Sequence, residues 1–121
     1  MPNPVVWFEI VGRSGESLQR FYRELFGWTI EPAEGDPSYG LVAPGAGGVG
    51  GAVGQSQDGG GGHVTVYVEV ADPAASLAEA ERLGGTVVVP PTEIPQYGLT
   101  FAYFADPEGH LVGLSKGMAR T

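Results

Sequence analysis

Residues 63–70 read His-Val-Thr-Val-Tyr-Val-Glu-Val, an alternation that constrains the fold more than any other stretch. Every even position is valine, and the odd positions carry His63, Thr65, Tyr67 and Glu69. Alternation with β-branched residues on one side predicts a strand that is buried on one face. We expect the valine face to lie beneath a helix. The other face presents imidazole, hydroxyl, phenol and carboxylate groups, which either contact a ligand or form the solvated side of a sheet.

The signals of a helix follow this strand immediately. Asp72 is placed to cap it, Pro73 suits a first helical position, and Gly84-Gly85 ends it, so a helix is predicted over residues 74–83. The prediction places this helix against the strand that precedes it.

The beginning of the chain repeats the order of a strand and then a helix. Residues 5–11 are a predicted strand, with Trp7 and Glu9 on the face opposite the apolar one. Ser14 is a predicted helix cap, residues 16–26 form a predicted amphipathic helix, and a glycine follows at position 27. Phe21 and Leu25 belong to the apolar stripe of this helix and are predicted to be core residues.

The remaining segments complete a repeat. Strands are predicted at residues 28–34, 39–43, 48–54, 86–89, 99–105 and 110–115. Pro90-Pro91 identifies 86–89 as an edge or bulged strand, and the Asp-Pro-Glu-Gly sequence at 106–109 predicts a type I turn. The order strand, helix, three strands occurs twice. We therefore predict one α+β domain over residues 1–121, built from two βαβββ modules at about 4–56 and 63–116.

Composition narrows the possible partners. The formal net charge is −8, which argues against nucleic acid and anionic membranes. Cysteine is absent, which excludes disulfides and thiolate catalysis. No apolar run approaches the roughly 20 residues of a membrane span. We expect a soluble, cytoplasmic protein.

Several motifs together resemble the glyoxalase/bleomycin-resistance/extradiol-dioxygenase superfamily, also called vicinal oxygen chelate. The resemblance rests on Trp7-Phe-Glu-Ile10, Phe21-Tyr22…Leu25-Phe26-Gly27-Trp28, Val68-Glu-Val70 with Leu83-Gly-Gly85, Phe104-Ala-Asp-Pro-Glu-Gly109 and Leu111-Val-Gly-Leu114. It implies a curved, mostly antiparallel open sheet of paired βαβββ modules around a ligand cleft. In catalytic members, that cleft holds a divalent metal.

The four ligand positions that the resemblance implies carry poor donors in this chain. They fall on Trp7, on residues 49–54, on Thr65 and on Gly113, and residues 49–54 contain no His, Asp or Glu. We therefore expect no metal. A displaced site of His63, Glu9 and Glu69 is the alternative, but a partly exposed histidine beside a glycine-rich loop is favoured. The G-x-G-x-x-G pattern at 45–50 is not followed by a helix, so no cofactor is expected.

The first functional hypothesis is metal-free binding of a small molecule in an aromatic-lined cleft. The predicted ligand contacts are Trp7, Glu9, His63, Thr65, Tyr67, Glu69, Phe101, Tyr103 and Gly113. One alternative is a lyase-, isomerase- or dioxygenase-type enzyme that uses Glu9, His63 or Glu69 as a base, or a displaced metal. Another is a non-catalytic structural or regulatory subunit. A homodimer is expected, with each cleft drawing aromatic residues from both chains.

Overall fold

The computed structural model describes residues 2–117, which form two compact units. The first unit is Trp7–Thr65, and the second comprises residues 66–117 together with residues 2–6. The elements in chain order are β1 (Val5–Gly12), α1 (Gly15–Phe26), β2 (Ile30–Ala33), β3 (Asp36–Val42), β4 (Gly51–Gln55), β5 (His63–Glu69), α2 (Pro73–Arg82), β6 (Thr86–Ile94), β7 (Leu99–Ala105) and β8 (Leu111–Lys116). This is the predicted α+β class, with the βαβββ order occurring twice.

Both helices begin at the capping residues that the sequence predicts. The Ser14 hydroxyl accepts a hydrogen bond from the Ser17 N–H at the start of α1, and Gly27 ends the helix with a φ of 71°. The Asp72 carboxylate accepts from the Ala75 N–H at the start of α2. Local sequence therefore fixes both helices, as predicted.

The first unit is a mixed sheet with α1 on one face. Its strand order is β2-β3-β4-β1, with β1 and β4 parallel and the other pairs antiparallel. The core lies between this sheet and α1, and consists of Ile30, Val42 and Val53 with Phe8, Ile10, Leu18, Tyr22 and Trp28 packed around them. Because Phe8 and Ile10 face α1, the alternate residues Trp7 and Glu9 lie on the opposite face.

The second unit repeats this arrangement with the order β5-β8-β7-β6, in which β5 and β8 are parallel. Its core consists of Val70, Leu77, Ala102 and Leu114. The predicted hairpin turn is confirmed, since the Gly109 N–H donates to the Asp106 carbonyl oxygen at 2.8 Å. Strand β6 is bulged as predicted but does not end at residue 89, because register shifts let it continue through the two prolines to Ile94.

The core prediction for α1 is wrong at two positions. Phe21 and Leu25 are 55% and 58% exposed, whereas Leu18 and Tyr22 pack against the core. The apolar face of this helix is wider than the part of it that the strands cover, so Phe21 and Leu25 at its edge stay in solvent.

The prediction for β5 is correct in its alternation but wrong in the burial of its first half. Val64 and Val66 are 75% and 39% exposed, while Thr65 and Tyr67 on the other face are buried. Helix α2 packs on β6, β7 and β8, so only Val68 near the end of β5 and Val70 just after it reach this core. In residues 2–117, the two helices are too short for a membrane span.

Candidate functional site

A buried carboxylate forms the centre of the polar face in the first unit. Glu9 is only 5% exposed, and both of its carboxylate oxygens are hydrogen-bonded. The Tyr39 hydroxyl donates to Oε2 at 2.6 Å, and the Nε2 of His63 lies 2.7 Å from Oε1. Because a carboxylate oxygen accepts hydrogen bonds, the tautomer of His63 with its hydrogen on Nε2 is the one that donates to Glu9. The result is a Tyr39–Glu9–His63 triad.

A glycine in β4 gives Tyr39 its route to Glu9. The ring of Tyr39 lies directly over Gly54, where an added Cβ would come within 2.7 Å of the ring carbon Cδ1. A larger residue at this position would displace the ring from the sheet. Gly54 therefore allows the phenol of one strand to reach the carboxylate of another.

A second glycine fixes the position of His63. Gly62, the residue before β5, has a φ of +82°, and an added Cβ would lie 1.8 Å from the carbonyl oxygen of Val11. Only glycine permits this conformation and this close approach to β1. The backbone contact places the next residue, His63, opposite Glu9.

The two members of the carboxylate–imidazole pair differ in access. The Glu9 side chain is 7% exposed and the His63 side chain 27%. His63 is therefore the group of this pair that a ligand can touch, while Glu9 orients the imidazole through their hydrogen bond.

The second unit carries aromatic residues in place of the triad. The hydroxyl groups of Tyr67 and Tyr103 are hydrogen-bonded to each other, and their ring centroids are 5.5 Å apart. Phe101 meets Tyr103 edge to face at 5.9 Å. The Tyr67 ring lies over Gly113 of β8, where an added Cβ would be 2.7 Å from the ring. The Tyr67 ring therefore packs directly on the backbone of Gly113.

Glu69 is the carboxylate of this second face. Its Oε1 accepts from the Ser115 hydroxyl at 3.1 Å, and its Oε2 accepts from the Gly117 N–H at 3.0 Å. Its backbone N–H donates to the Pro4 carbonyl oxygen at 2.9 Å. These bonds connect β5 to β8 and to the first residues of the chain, so Glu69 has a structural role.

The residues at the implied metal positions do not fit a divalent ion. Trp7 and Thr65 supply no imidazole or carboxylate, and aromatic rings occupy the space above Gly54 and Gly113. Within residues 2–117, no three His, Asp or Glu side chains are grouped so that they could hold a metal. The Glu9 oxygens accept from His63 and Tyr39 instead.

Two further predicted ligand contacts, Trp7 and Thr65, are not part of the triad or of the aromatic group. Trp7 is half-buried near Gly50, and Thr65 is buried at 6% exposure. Sequence reasoning did not single out Tyr39 or Ser115, the partners of the two carboxylates. Neither has a local motif, since each becomes a partner only through the pairing of strands distant in sequence.

The sequence profile of the Glyoxalase-like domain matches residues 12–115. The chain therefore belongs to the glyoxalase-like family, within the superfamily that its motifs resemble.

Curated relatives and solved structures agree with this assignment. The protein named "Putative glyoxylase CFP32", from Mycobacterium bovis and from Mycobacterium tuberculosis, is 31% identical over 115 residues, covering 93% of this chain and 43% of the relative. The chain thus spans less than half the length of these relatives.

Solved structures show that the fold is shared. Hypothetical protein BH1468 from Bacillus halodurans superposes with a TM-score of 0.69 at 15% identity, covering 100% of this chain and 99% of that one. A glyoxalase/bleomycin resistance protein/dioxygenase superfamily member from Vibrio splendidus gives 0.66 at 14% identity, with coverages of 95% and 99%. Streptomyces coelicolor methylmalonyl-CoA epimerase, in complex with 2-nitronate-propionyl-CoA, gives 0.57 at 17% identity, with coverages of 95% and 97%.

Proposed function

We propose that this protein binds a small organic molecule without a metal ion. The observation that carries the proposal is the placement of the Tyr67 ring over Gly113, the position that corresponds to a metal ligand in catalytic members of the superfamily. An aromatic surface thus replaces a donor. Phe101 and Tyr103 extend this surface within the second unit.

The negative charge of the protein indicates which charge the ligand would carry. The chain carries a net charge of −8, and each polar face has a carboxylate, Glu9 in one unit and Glu69 in the other. Aromatic faces attract cations, and acidic surroundings add to this attraction. The proposed ligand is therefore planar and either neutral or cationic. A cytoplasmic location stays a prediction.

A ligand panel tests this proposal directly. Planar aromatic cations, with neutral and anionic analogues of the same shape, are titrated by calorimetry into protein that elemental analysis has shown to be metal-free. We expect the cations to bind most tightly, and Tyr103→Leu to weaken binding about tenfold or more. The matched control is Tyr97→Leu, which removes a tyrosine that is 51% exposed and lies outside this aromatic group. Binding that requires a stoichiometric metal contradicts the proposal, as does an anion that binds best.

A second candidate function is proton transfer by the first unit. It is favoured by the triad, in which a buried carboxylate holds a more exposed imidazole at 2.7 Å. This is the arrangement of a general base with its orienting partner. The similar structure of methylmalonyl-CoA epimerase suggests a substrate class, namely compounds with an acidic C–H beside a thioester carbonyl.

Hydrogen–deuterium exchange distinguishes this second candidate from binding alone. Acyl thioesters are incubated with the protein in D₂O, and loss of the α-proton signal is followed by NMR. We expect His63→Gln to slow exchange about 100-fold or more. His110→Gln is the matched control, because His110 lies on the exposed hairpin with Asp106 as its partner. Exchange that is equally fast in His63→Gln and in the wild type rules out this role of the triad. If the chain neither binds the panel nor catalyses exchange, a non-catalytic subunit is the remaining hypothesis.

A further inference from the structure

The outer shoulder of α1 carries an unusually apolar surface for a helix in solvent. Phe21 and Leu25, four residues apart on one side of the helix, are 55% and 58% exposed, and we call these two residues the α1 patch. Phe26, which is 55% exposed, lies on the other side of Tyr22. The two phenylalanines are held in place, since Phe21 meets Tyr22 edge to face at 5.0 Å and Phe26 stacks on Tyr22 at 6.1 Å. Fixed aromatic side chains are well suited to an interface, because little side-chain entropy is lost when they are covered.

A charged row runs beside this patch. Arg20 and Glu24 are four residues apart and therefore project from the same side of the helix, about 100° around the helix axis from the row of Phe21 and Leu25. Both are exposed, and across residues 2–117 neither has an ion-pair partner within the chain. Their charges are thus available to a partner.

The charge of this segment also differs from that of the rest of the protein. Residues 13–26 contain three arginines and two glutamates, a net charge of +1, whereas the remainder of the chain carries −9. Two copies of so acidic a protein repel each other in most orientations. The α1 segment is where two copies can approach with least repulsion.

We propose that a second copy of this chain docks on the α1 patch, with the two α1 helices antiparallel about a two-fold axis near residues 22–23. An antiparallel pairing places Arg20 beside the partner's Glu24, and Glu24 beside the partner's Arg20. The same axis brings Phe21 against the partner's Leu25. Both the charges and the apolar groups are therefore self-complementary, as an isologous interface requires.

This inference is independent of the proposed function and changes the expected position of the dimer interface. The sequence predicted clefts whose aromatic walls come from both chains. The α1 patch instead lies on the helix-covered face of the first unit, opposite the Tyr39–Glu9–His63 triad. Dimerisation through α1 leaves the triad outside the interface.

Charge reversal tests the pairing of the two copies. The mass in solution is measured by light scattering and by sedimentation equilibrium over micromolar concentrations. We expect twice the chain mass for the wild type, and a dissociation constant raised tenfold or more in each of Arg20→Glu and Glu24→Arg. The double variant Arg20→Glu/Glu24→Arg exchanges the two charges on both chains, so it should restore the dimer. Arg82→Glu, which reverses a charge on α2, should leave the mass unchanged.

The apolar part of the surface is tested separately. Leu25→Asp should give a single-chain mass, whereas Leu83→Asp, at a residue 63% exposed after α2, should not. Circular dichroism and thermal unfolding establish that each variant is folded. A wild type that stays at one chain mass overturns the proposal, since the patch then serves another occupant. A dimer that persists in Leu25→Asp, or a double charge swap that stays monomeric, overturns it as well.

Discussion

The two units place different chemistry on the same framework. In each, an aromatic ring lies over a glycine of the last strand, Tyr39 over Gly54 and Tyr67 over Gly113. The ring over Gly54 comes from β3 and delivers its hydroxyl to a buried carboxylate, whereas the ring over Gly113 comes from β5 and meets another tyrosine. Both units therefore need a glycine at this position of the last strand, because a tyrosine ring packs on it. Whether the polar face is acidic or aromatic depends on what the hydroxyl of that tyrosine contacts.

The carboxylates differ in the same way. Glu9 is buried and bonded to two side chains, while Glu69 is half-buried and bonded to one hydroxyl and one backbone N–H. Glu9 is hydrogen-bonded to a histidine, His63, whereas within residues 2–117 Glu69 has no histidine among its hydrogen-bond partners. This difference is the basis for proposing proton transfer by the first unit and ligand stacking by the second.

The largest loss of stability is expected when Gly62, the glycine that positions His63 in the first unit, is replaced. Gly62→Ala forces a side chain into a backbone conformation with positive φ and against the Val11 carbonyl oxygen, so we expect a loss of about 3 kcal/mol or more in the free energy of unfolding. Urea denaturation gives the value. NMR of the His63 ring shows whether the contact with Glu9 is lost.

Neighbouring glycines control for this result. Gly61→Ala meets no atom within 4 Å and has no positive φ, so its stability should stay within about 0.5 kcal/mol of the wild type. Gly59→Ala has a positive φ but open space, and should show the backbone strain alone. If Gly61→Ala and Gly62→Ala lose equal stability, Gly62 does not position His63.

A smaller effect is expected from removing each carboxylate in turn. Glu9→Leu removes the buried carboxylate that accepts from the Tyr39 hydroxyl and the His63 imidazole, which should cost about 2–3 kcal/mol. Glu69→Leu should cost about 1 kcal/mol, because water can replace the lost acceptor at a half-buried site. Denaturation at neutral pH measures both values. Equal costs would show that the two faces are energetically alike, against the distinction drawn above.

Sequence reasoning predicted the framework better than the contacts within it. The caps Ser14 and Asp72, the hairpin at 106–109 and the alternation in β5 are local signals, and each gave the correct element. His63 and Glu9 could be named as candidates because strand alternation shows which face a residue occupies. Their contact with Tyr39 depends on strand register, which no local pattern encodes.

The errors have a common physical origin. Phe21, Leu25, Val64 and Val66 were assigned to the core from periodicity, yet all four are exposed. Periodicity identifies the apolar side of an element but not how much of that side a neighbour covers. The coverage is set by where α1 and α2 lie on their strands, which is a property of tertiary packing.

The smallest expected effect concerns pH and the connection between the last two strands of each unit. In the second unit, Asp106 accepts hydrogen bonds from the backbone N–H groups of His110 and Glu108 and from the His110 ring, at 2.9, 2.9 and 3.0 Å. The bond from the His110 backbone is the main reason that the pKa of Asp106 lies below its ordinary value of 3.8. In the first unit, the connection between β3 and β4 is closed by one backbone bond, from the Gly48 N–H to the Gly45 carbonyl oxygen.

A carboxyl group whose pKa is lowered by folding stabilises the protein above its unfolded pKa, and this contribution is lost as the pH falls through the folded pKa. The stability difference between the wild type and Asp106→Asn should therefore be constant from about pH 5 to neutrality and shrink on acidification below the ordinary aspartate pKa. Urea denaturation at a series of pH values measures this difference. Asp58→Asn, which removes an exposed carboxylate that accepts a hydrogen bond from the Gly60 N–H, controls for the loss of one negative charge. A difference that instead grows as the pH falls would mean that the Asp106 carboxylate destabilises the hairpin, and the turn would then depend on its glycine and proline alone.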